Sequence, residues 1–81
     1  MISGLNYKGN KSSRMLSLNE RLQKGELIDK AMLAMEFGVA EKTIQRDIDS
    51  LRNYYAEMHV GEGNIEIRYD KRRKGYQLIE W

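Results

Sequence analysis

The chain has 81 residues and a formal net charge of +2, a length that suits one small domain with a modest hydrophobic core. It contains no cysteine and one histidine, which excludes a disulfide framework, a cysteine nucleophile and a zinc site built from cysteines or a histidine cluster. The N-terminus lacks a signal-peptide pattern and no run of about 18 apolar residues occurs, so the sequence predicts a cytosolic protein without a membrane span.

Positive charge is concentrated near the two ends of the chain. The first fourteen residues contain Lys8, Lys11 and Arg14 and no acid, while residues 68–74 hold five basic residues and only Asp70 as an acid. Most of the other acids lie between these two stretches. Two cationic ends suit a polyanionic partner that touches both. The alternative is a merely solvated surface, which is what short charge runs usually are.

A first helix is predicted after a flexible basic arm at residues 1–11, which are rich in glycine and asparagine and show no apolar period. Ser12 or Ser13 can cap this helix, which runs to about Gln23. Its inner face is marked by Met15, Leu18 and Leu22, with Leu16 beside them.

A second helix is predicted from Lys30 to Phe37, after a minimal strand at residues 27–28. Asp29 can supply its N-cap, and Gly38 can end it in the left-handed conformation that other residues avoid. Its apolar face comprises Ala31, Leu33, Ala34 and Phe37, with Met32 and Met35 at the sides.

A third helix follows almost at once and runs from an N-cap at Ala40 to about Glu57. Its buried stripe recurs at helical spacing and consists of Ile44, Ile48, Leu51 and Tyr55. On a helical wheel Lys42, Arg46 and Asn53 lie opposite that stripe. The helix therefore has one face to bury and one that offers cationic and hydrogen-bonding groups to a partner.

A hairpin is predicted at the C-terminal end of the chain. Apolar and polar residues alternate over residues 65–69, residues 70–74 form a basic turn, and residues 75–79 return as a second strand. Three helices followed by a two-stranded β-hairpin predict an α+β fold, a winged helix-turn-helix over residues 12–80. In a helix-turn-helix the second helix of the motif enters the major groove of DNA.

Part of the sequence resembles a known family. Residues 39–48, Val-Ala-Glu-Lys-Thr-Ile-Gln-Arg-Asp-Ile, with Leu51 and the later Gly-Tyr-Gln-Leu at 75–78, resemble the N-terminal winged helix-turn-helix of DeoR-like bacterial transcriptional regulators. The resemblance is strongest to the branch that carries a WYL ligand-sensing domain. The chain departs from the pattern at Ala40, where the family usually has serine.

This resemblance implies double-stranded DNA as the partner and a homodimer for the full-length regulator. We expect no cofactor or metal, because the sequence offers no residue pattern that would hold one. The effector would bind a sensor domain beyond Trp81, so we expect the chain to be a piece of a longer regulator. A naturally short protein is the alternative. The half-sites of a dimer would lie about 34 Å apart, or a multiple of that distance.

The wheel and the resemblance together place Lys42, Thr43, Gln45 and Arg46 near the groove. Arginine and lysine can donate to guanine, glutamine can pair with adenine, and Thr43 can donate to a phosphate or touch a thymine methyl group. The alternative for Arg46 is an ion pair with Asp49, three residues further along the helix.

The remaining candidate DNA contacts are cations at the wing tip and near the N-terminus. They are Lys71, Arg72, Arg73 and Lys74 in the wing, and Lys11 and Arg14 near the start of the chain. Such contacts position a protein on the DNA backbone but do not read sequence. The alternative for the wing tip is a solvated turn that deters edge pairing. Asp47 lies beside the buried stripe, so we expect a structural role for it, with Arg14 as its natural partner.

We therefore expect a sequence-specific DNA-binding domain rather than an enzyme, because the chain shows no nucleophile–base pair, no metal constellation and no phosphate-binding glycine loop. The alternative is a winged helix that binds proteins and has lost DNA binding. Tyrosines could stack on single-stranded bases, but packing is the expected role of Tyr55 and Tyr76, which lie on apolar faces. RNA binding has no motif here.

Overall fold

A computed structural model describes residues 10–58 and 65–80. Helices α1 (Lys11–Gln23), α2 (Lys30–Phe37) and α3 (Glu41–Met58) precede an antiparallel hairpin of strands β1 (Ile65–Asp70) and β2 (Gly75–Glu80). This α+β arrangement is consistent with a winged-helix layout, as the sequence predicts. Residues 1–9 of the expected arm, the loop at residues 59–64 and Trp81 lie outside the described residues.

Helix α1 begins earlier than predicted. Asn10, with extended backbone angles, is the N-cap, and its side-chain oxygen accepts from the N–H of Ser12 at 2.8 Å. The prediction of Ser12 or Ser13 as the cap is wrong, because asparagine two residues earlier makes the same bond at least as well. Lys11 consequently belongs to the helix and not to an arm, whereas the predicted end at Gln23 is confirmed.

Helix α2 and its following turn have the predicted bounds. The Asp29 side chain accepts from the N–H of the helix's third residue at 3.1 Å. Gly38 is left-handed, with φ 69° and ψ 38°. The N–H of Gly38 donates to Met35 O and that of Val39 to Ala34 O, at 3.3 and 3.0 Å. These two bonds form a Schellman motif, which satisfies carbonyls at the helix end and directs the chain into α3.

Helix α3 starts at Glu41, which leaves Ala40 at the N-cap position, and it ends one residue later than the expected Glu57. The Ala40 carbonyl accepts from the N–H groups of Thr43 and Ile44, at 3.0 and 3.3 Å. Alanine offers no side-chain oxygen to the free N–H groups of the first turn.

Ala40→Ser should therefore raise the free energy of unfolding by about 0.5–2 kcal/mol. Urea denaturation of both proteins measures the difference. Ala56→Ser is the matched control, since Ala56 is exposed inside α3 and serine there is a slightly poorer helix former. If the urea midpoint of Ala40→Ser is no higher than that of the wild type, the first turn of α3 does not lack a capping side chain at residue 40.

The core lies between the three helices and one face of the hairpin. It contains the predicted stripe of α3 together with Leu18, Leu22, Ile28, Leu33, Ala34, Phe37, Ile67 and Tyr76. Several apolar residues expected at its edge are instead exposed, since Leu16 is 71%, Met32 68% and Met35 83% accessible. Ala31 is exposed as well. A domain of this size covers only a narrow stripe of each outer helix.

The hairpin is tied to the helices through the segment before α2. Ile28 and Tyr76 exchange two backbone hydrogen bonds, at 2.7 and 2.8 Å, and form an isolated antiparallel bridge. The minimal strand predicted at residues 27–28 is thus confirmed at Ile28. Gly75 permits this approach, because a Cβ there would lie 2.6 Å from Leu27 Cγ and 2.8 Å from Ile28 O.

Candidate nucleic-acid interface

The outer face of α3 presents two exposed cations, Lys42 and Arg46, with half-buried Thr43 beside them. Ile44 and Ile48 on the opposite face are fully buried, at 1% and 0% exposure, which fixes the orientation of the helix. Within residues 10–58 and 65–80, neither Lys42 nor Arg46 is held by a side-chain hydrogen bond or ion pair.

The alternative ion pair between Arg46 and Asp49 does not form. Asp49 Oδ1 instead accepts from Arg52 Nη1 at 3.3 Å and from Gln45 Nε2 at 3.1 Å. The carboxylate leans towards the flank on which Arg52 lies, away from Arg46. The guanidinium of Arg46 is consequently available to an external acceptor.

The sequence predicts that Gln45 reads an adenine, but the structure engages both ends of its amide inside the protein. Its Oε1 accepts from Lys30 Nζ at 2.9 Å and from the Tyr76 hydroxyl at 3.0 Å. Its Nε2 donates to Asp49. Bidentate pairing with adenine requires both ends of the amide to be free. In the structure, the Gln45 amide therefore bonds the wing and α2 and is not free to pair with a base.

Arg14 and Asp47 form a buried ion pair between α1 and α3, which confirms the structural role expected for Asp47. Arg14 Nε donates to Asp47 Oδ2 at 2.6 Å and Nη2 to Oδ1 at 3.3 Å. The two residues are 8% and 1% exposed. A buried, bidentate guanidinium cannot also approach a DNA backbone, so the assignment of Arg14 to DNA contact is corrected. Lys11, more exposed, lies 3.4 Å from the same carboxylate.

The four wing-tip cations are exposed, as the sequence predicts. Asp70 organises their turn, since its Oδ1 accepts from the backbone N–H groups of Arg72 and Arg73 at 2.9 and 3.1 Å. Arg73 Nη1 also donates to Gln77 Oε1 at 3.1 Å. Lys74 closes the turn with a positive φ of 57°. Glycine or asparagine adopts that conformation at lower cost than lysine.

The base of the wing lies beside the N-terminal ends of α2 and α3. A small cavity of about 170 Å³ is lined by residues of all three, including Lys30, Glu41 and Lys74. The first turn of α3 and the wing therefore lie on the same side of the domain. Glu41 is exposed there and is an unfavourable charge for an anionic partner.

Arg52, which no sequence pattern marks as functional, joins α3 to the hairpin. Its Nε donates to the carbonyl of Ile67 at 3.1 Å, and its guanidinium carbon lies 5.5 Å from the centre of the Tyr76 ring. Lys30 Nζ lies 6.0 Å from the same ring. The sequence gives only a weak indication of these contacts. Each of two helices carries a cation on its flank, and the predicted second strand carries a tyrosine with which these cations can pack.

An ion pair between Arg21 and Glu36 joins α1 to α2 on another face. The pKa of Arg21 is raised, first by its hydrogen bonds to Glu36, with burial opposing them. A raised pKa stabilises the fold at every pH below the unfolded value, and that contribution is lost only as pH rises through the folded value, which lies far above neutrality. The arginine therefore gives no pH dependence near neutrality.

No group of three or more metal-ligating side chains occurs in residues 10–58 and 65–80. None of the described helices is long and apolar enough to cross a membrane. Searches of protein-family models, curated proteins and solved structures found no match to this chain.

Proposed function

We propose that this domain binds double-stranded DNA in a sequence-specific manner. Helix α3 lies in the major groove, and the wing contacts the backbone or the minor groove. The proposal is supported by the outer face of α3, where Lys42 and Arg46 are exposed and have no partner among the described residues, while the opposite face is sealed in the core. The role requires no catalysis and no cofactor.

The two cationic surfaces have different tasks in this proposal. Arg46 and Lys42 project from a rigid helix, where a guanidinium can donate two bonds to O6 and N7 of guanine. The wing cations project from a turn and meet phosphates, which supply affinity without sequence information. Arg14 has no part in either surface, and Lys11 contributes only through its general charge.

The resemblance of residues 39–48 and 75–78 to DeoR-like, WYL-containing regulators extends the proposal. The domain then belongs to a bacterial transcriptional regulator that acts in the cytoplasm. The regulator binds as a homodimer, and its effector binds a separate sensor domain.

The isolated domain should bind duplex DNA weakly and with strong salt dependence. The logarithm of the association constant should fall linearly with the logarithm of salt concentration, by about 0.9 per phosphate contact. Fluorescence anisotropy of a labelled random duplex, titrated at several salt concentrations, measures the slope. Binding that does not change with salt would rule out this mode.

Single-stranded DNA of the same sequence is the control ligand for that titration. Tyr54 and Tyr69 are exposed and could stack on unpaired bases. Tighter binding to the single strand than to the duplex would favour stacking over groove recognition.

A protein-interaction module is the second candidate, and one feature favours it. A cavity of about 550 Å³ between the end of α1, residues 26–29 and α2 is bordered by the exposed Met32 and Met35. Methionine is common at adaptable protein-binding surfaces. Three carboxylates line the same cavity, which makes it unsuitable for DNA. Failure to bind any duplex at low salt would favour this candidate.

A further inference from the structure

The hairpin needs contacts at its base to hold a fixed direction. A two-stranded hairpin alone is marginally stable in water. Its four tip cations are exposed and lie outside the core. Wing cations can meet phosphates in register with α3 only if the angle between hairpin and helix is constrained.

Three elements meet at a single acceptor atom in this region. Gln45 Oε1, on α3, receives the hydroxyl of Tyr76 from β2 at 3.0 Å and the ammonium of Lys30 from α2 at 2.9 Å. Tyr76 as a whole is buried, at 8% exposure, and its hydrogen bond to Gln45 is partly buried, so loss of the bond carries a cost that water offsets only in part.

Arg52 supplies a second attachment from α3 to the other strand. Its Nε bonds the carbonyl of Ile67 on β1, and the guanidinium lies over the Tyr76 ring. The Tyr69 ring meets Tyr76 edge-on, with centroids 5.0 Å apart. We call Lys30, Gln45, Arg52 and Tyr76 the wing-base cluster.

Hydrogen bonds in this cluster add direction to apolar packing. Burial of Ile67 and the Tyr76 ring stabilises the contact but constrains its angle weakly, because the hydrophobic effect is non-directional. Hydrogen bonds weaken steeply as their geometry departs from linear. The Tyr76 hydroxyl adds a directional link between β2 and α3, beside the backbone bonds of Tyr76 to Ile28 and the bond from Arg52 to Ile67 O.

We propose that the Tyr76–Gln45 hydrogen bond positions the wing relative to α3 and so sets the contribution of the wing cations to DNA affinity. The inference rests on the proposed function. It gives Gln45 a role that differs from base reading: Gln45 is a positioning residue for phosphate contacts made elsewhere, and Tyr76 is its partner.

Tyr76→Phe tests this inference, because it removes the hydroxyl and keeps the ring. Tyr55→Phe is the matched control: Tyr55 is similarly buried at 3%, and its hydroxyl bonds Asn19 and Gln23 of α1, away from the wing. We expect Tyr76→Phe to weaken duplex binding about three- to tenfold, the usual range for one hydrogen bond, and to make the salt slope shallower. Tyr55→Phe should leave both unchanged.

The same pair of variants is then made in a protein whose Arg72 and Arg73 are both alanine. If the hydroxyl acts through the wing, Tyr76→Phe should have little further effect on affinity in that background. An equal loss in both backgrounds, or an equal loss from Tyr55→Phe, would overturn the inference.

A measurement without DNA separates this inference from the proposed function. Residual dipolar couplings of backbone amides report the orientation of β1 and β2 relative to α3. We expect Tyr76→Phe to change the hairpin couplings and Tyr55→Phe to leave them as in wild type. Unchanged hairpin couplings would overturn the positioning role even if the wild type binds DNA. Changed couplings without any wild-type DNA binding would overturn the proposed function, and with it the effect on affinity, but would leave the orientation of the wing by the hydroxyl.

Discussion

Asp47→Ala should lower the free energy of unfolding by about 3–5 kcal/mol, the cost typical of breaking one side of a buried ion pair. The variant leaves Arg14, which is 8% exposed, charged in the interior with its main acceptor removed. Lys11, 3.4 Å from the carboxylate, is exposed enough to regain water. The loss is a large share of the stability of a small domain.

Urea denaturation followed by circular dichroism measures this loss. Asp49→Ala is the matched control, since it removes the same charge from an exposed position on the same helix and should cost about 1 kcal/mol or less. Joint replacement of Arg14 by Met and Asp47 by Leu removes both buried charges and should recover much of the loss. A similar cost for Asp47→Ala and Asp49→Ala would show that the pair is not buried.

Arg46→Ala should weaken binding to the preferred duplex by about 1–3 kcal/mol, the range for one bidentate contact between a side chain and a base. The guanidinium is exposed on α3, and Asp49 is engaged by Arg52 and Gln45 instead. Anisotropy titration with an operator selected from a random library measures the change.

Lys24→Ala is the control for removal of a positive charge in that titration. Lys24 is exposed at the end of α1 and pairs only weakly with Glu20, at 3.7 Å. It should change affinity by much less than Arg46→Ala does on the same duplex. Equal losses from the two variants would mean that Arg46 acts only as a general charge.

The fold was predictable from the sequence where local signals decide the structure. Asp29 and Gly38 mark the two ends of α2 by their own side-chain and backbone chemistry, and both ends are confirmed. The apolar period of α3 is long enough to fix its orientation. The N-cap of α1 was not predictable, because Asn10 and the two serines after it are chemically equivalent caps in sequence.

The candidate site was only partly predictable, because a helical wheel gives a direction but not the partners that another element brings to it. Gln45 lies on the flank that β2 approaches, and only the fold reveals Tyr76 there. Arg14 counts as a basic residue in any charge profile, yet the packing of α1 on α3 buries it against Asp47. The exposure of Lys42 and Arg46 was predictable, because both lie opposite the buried stripe of their helix.

Sequence preference in two variants gives the most direct test of DNA reading by α3. Wild type, Arg46→Ala and the joint Arg72→Ala, Arg73→Ala protein compete for the selected operator and for random duplex DNA. We expect Arg46→Ala to reduce the ratio of specific to random affinity. The wing variant should weaken both duplexes about equally, with a salt slope shallower by about one unit for each phosphate that it no longer binds. The opposite result would contradict this account: if the wing variant lost its sequence preference and the Arg46→Ala protein kept it, the wing would read the DNA and α3 would not.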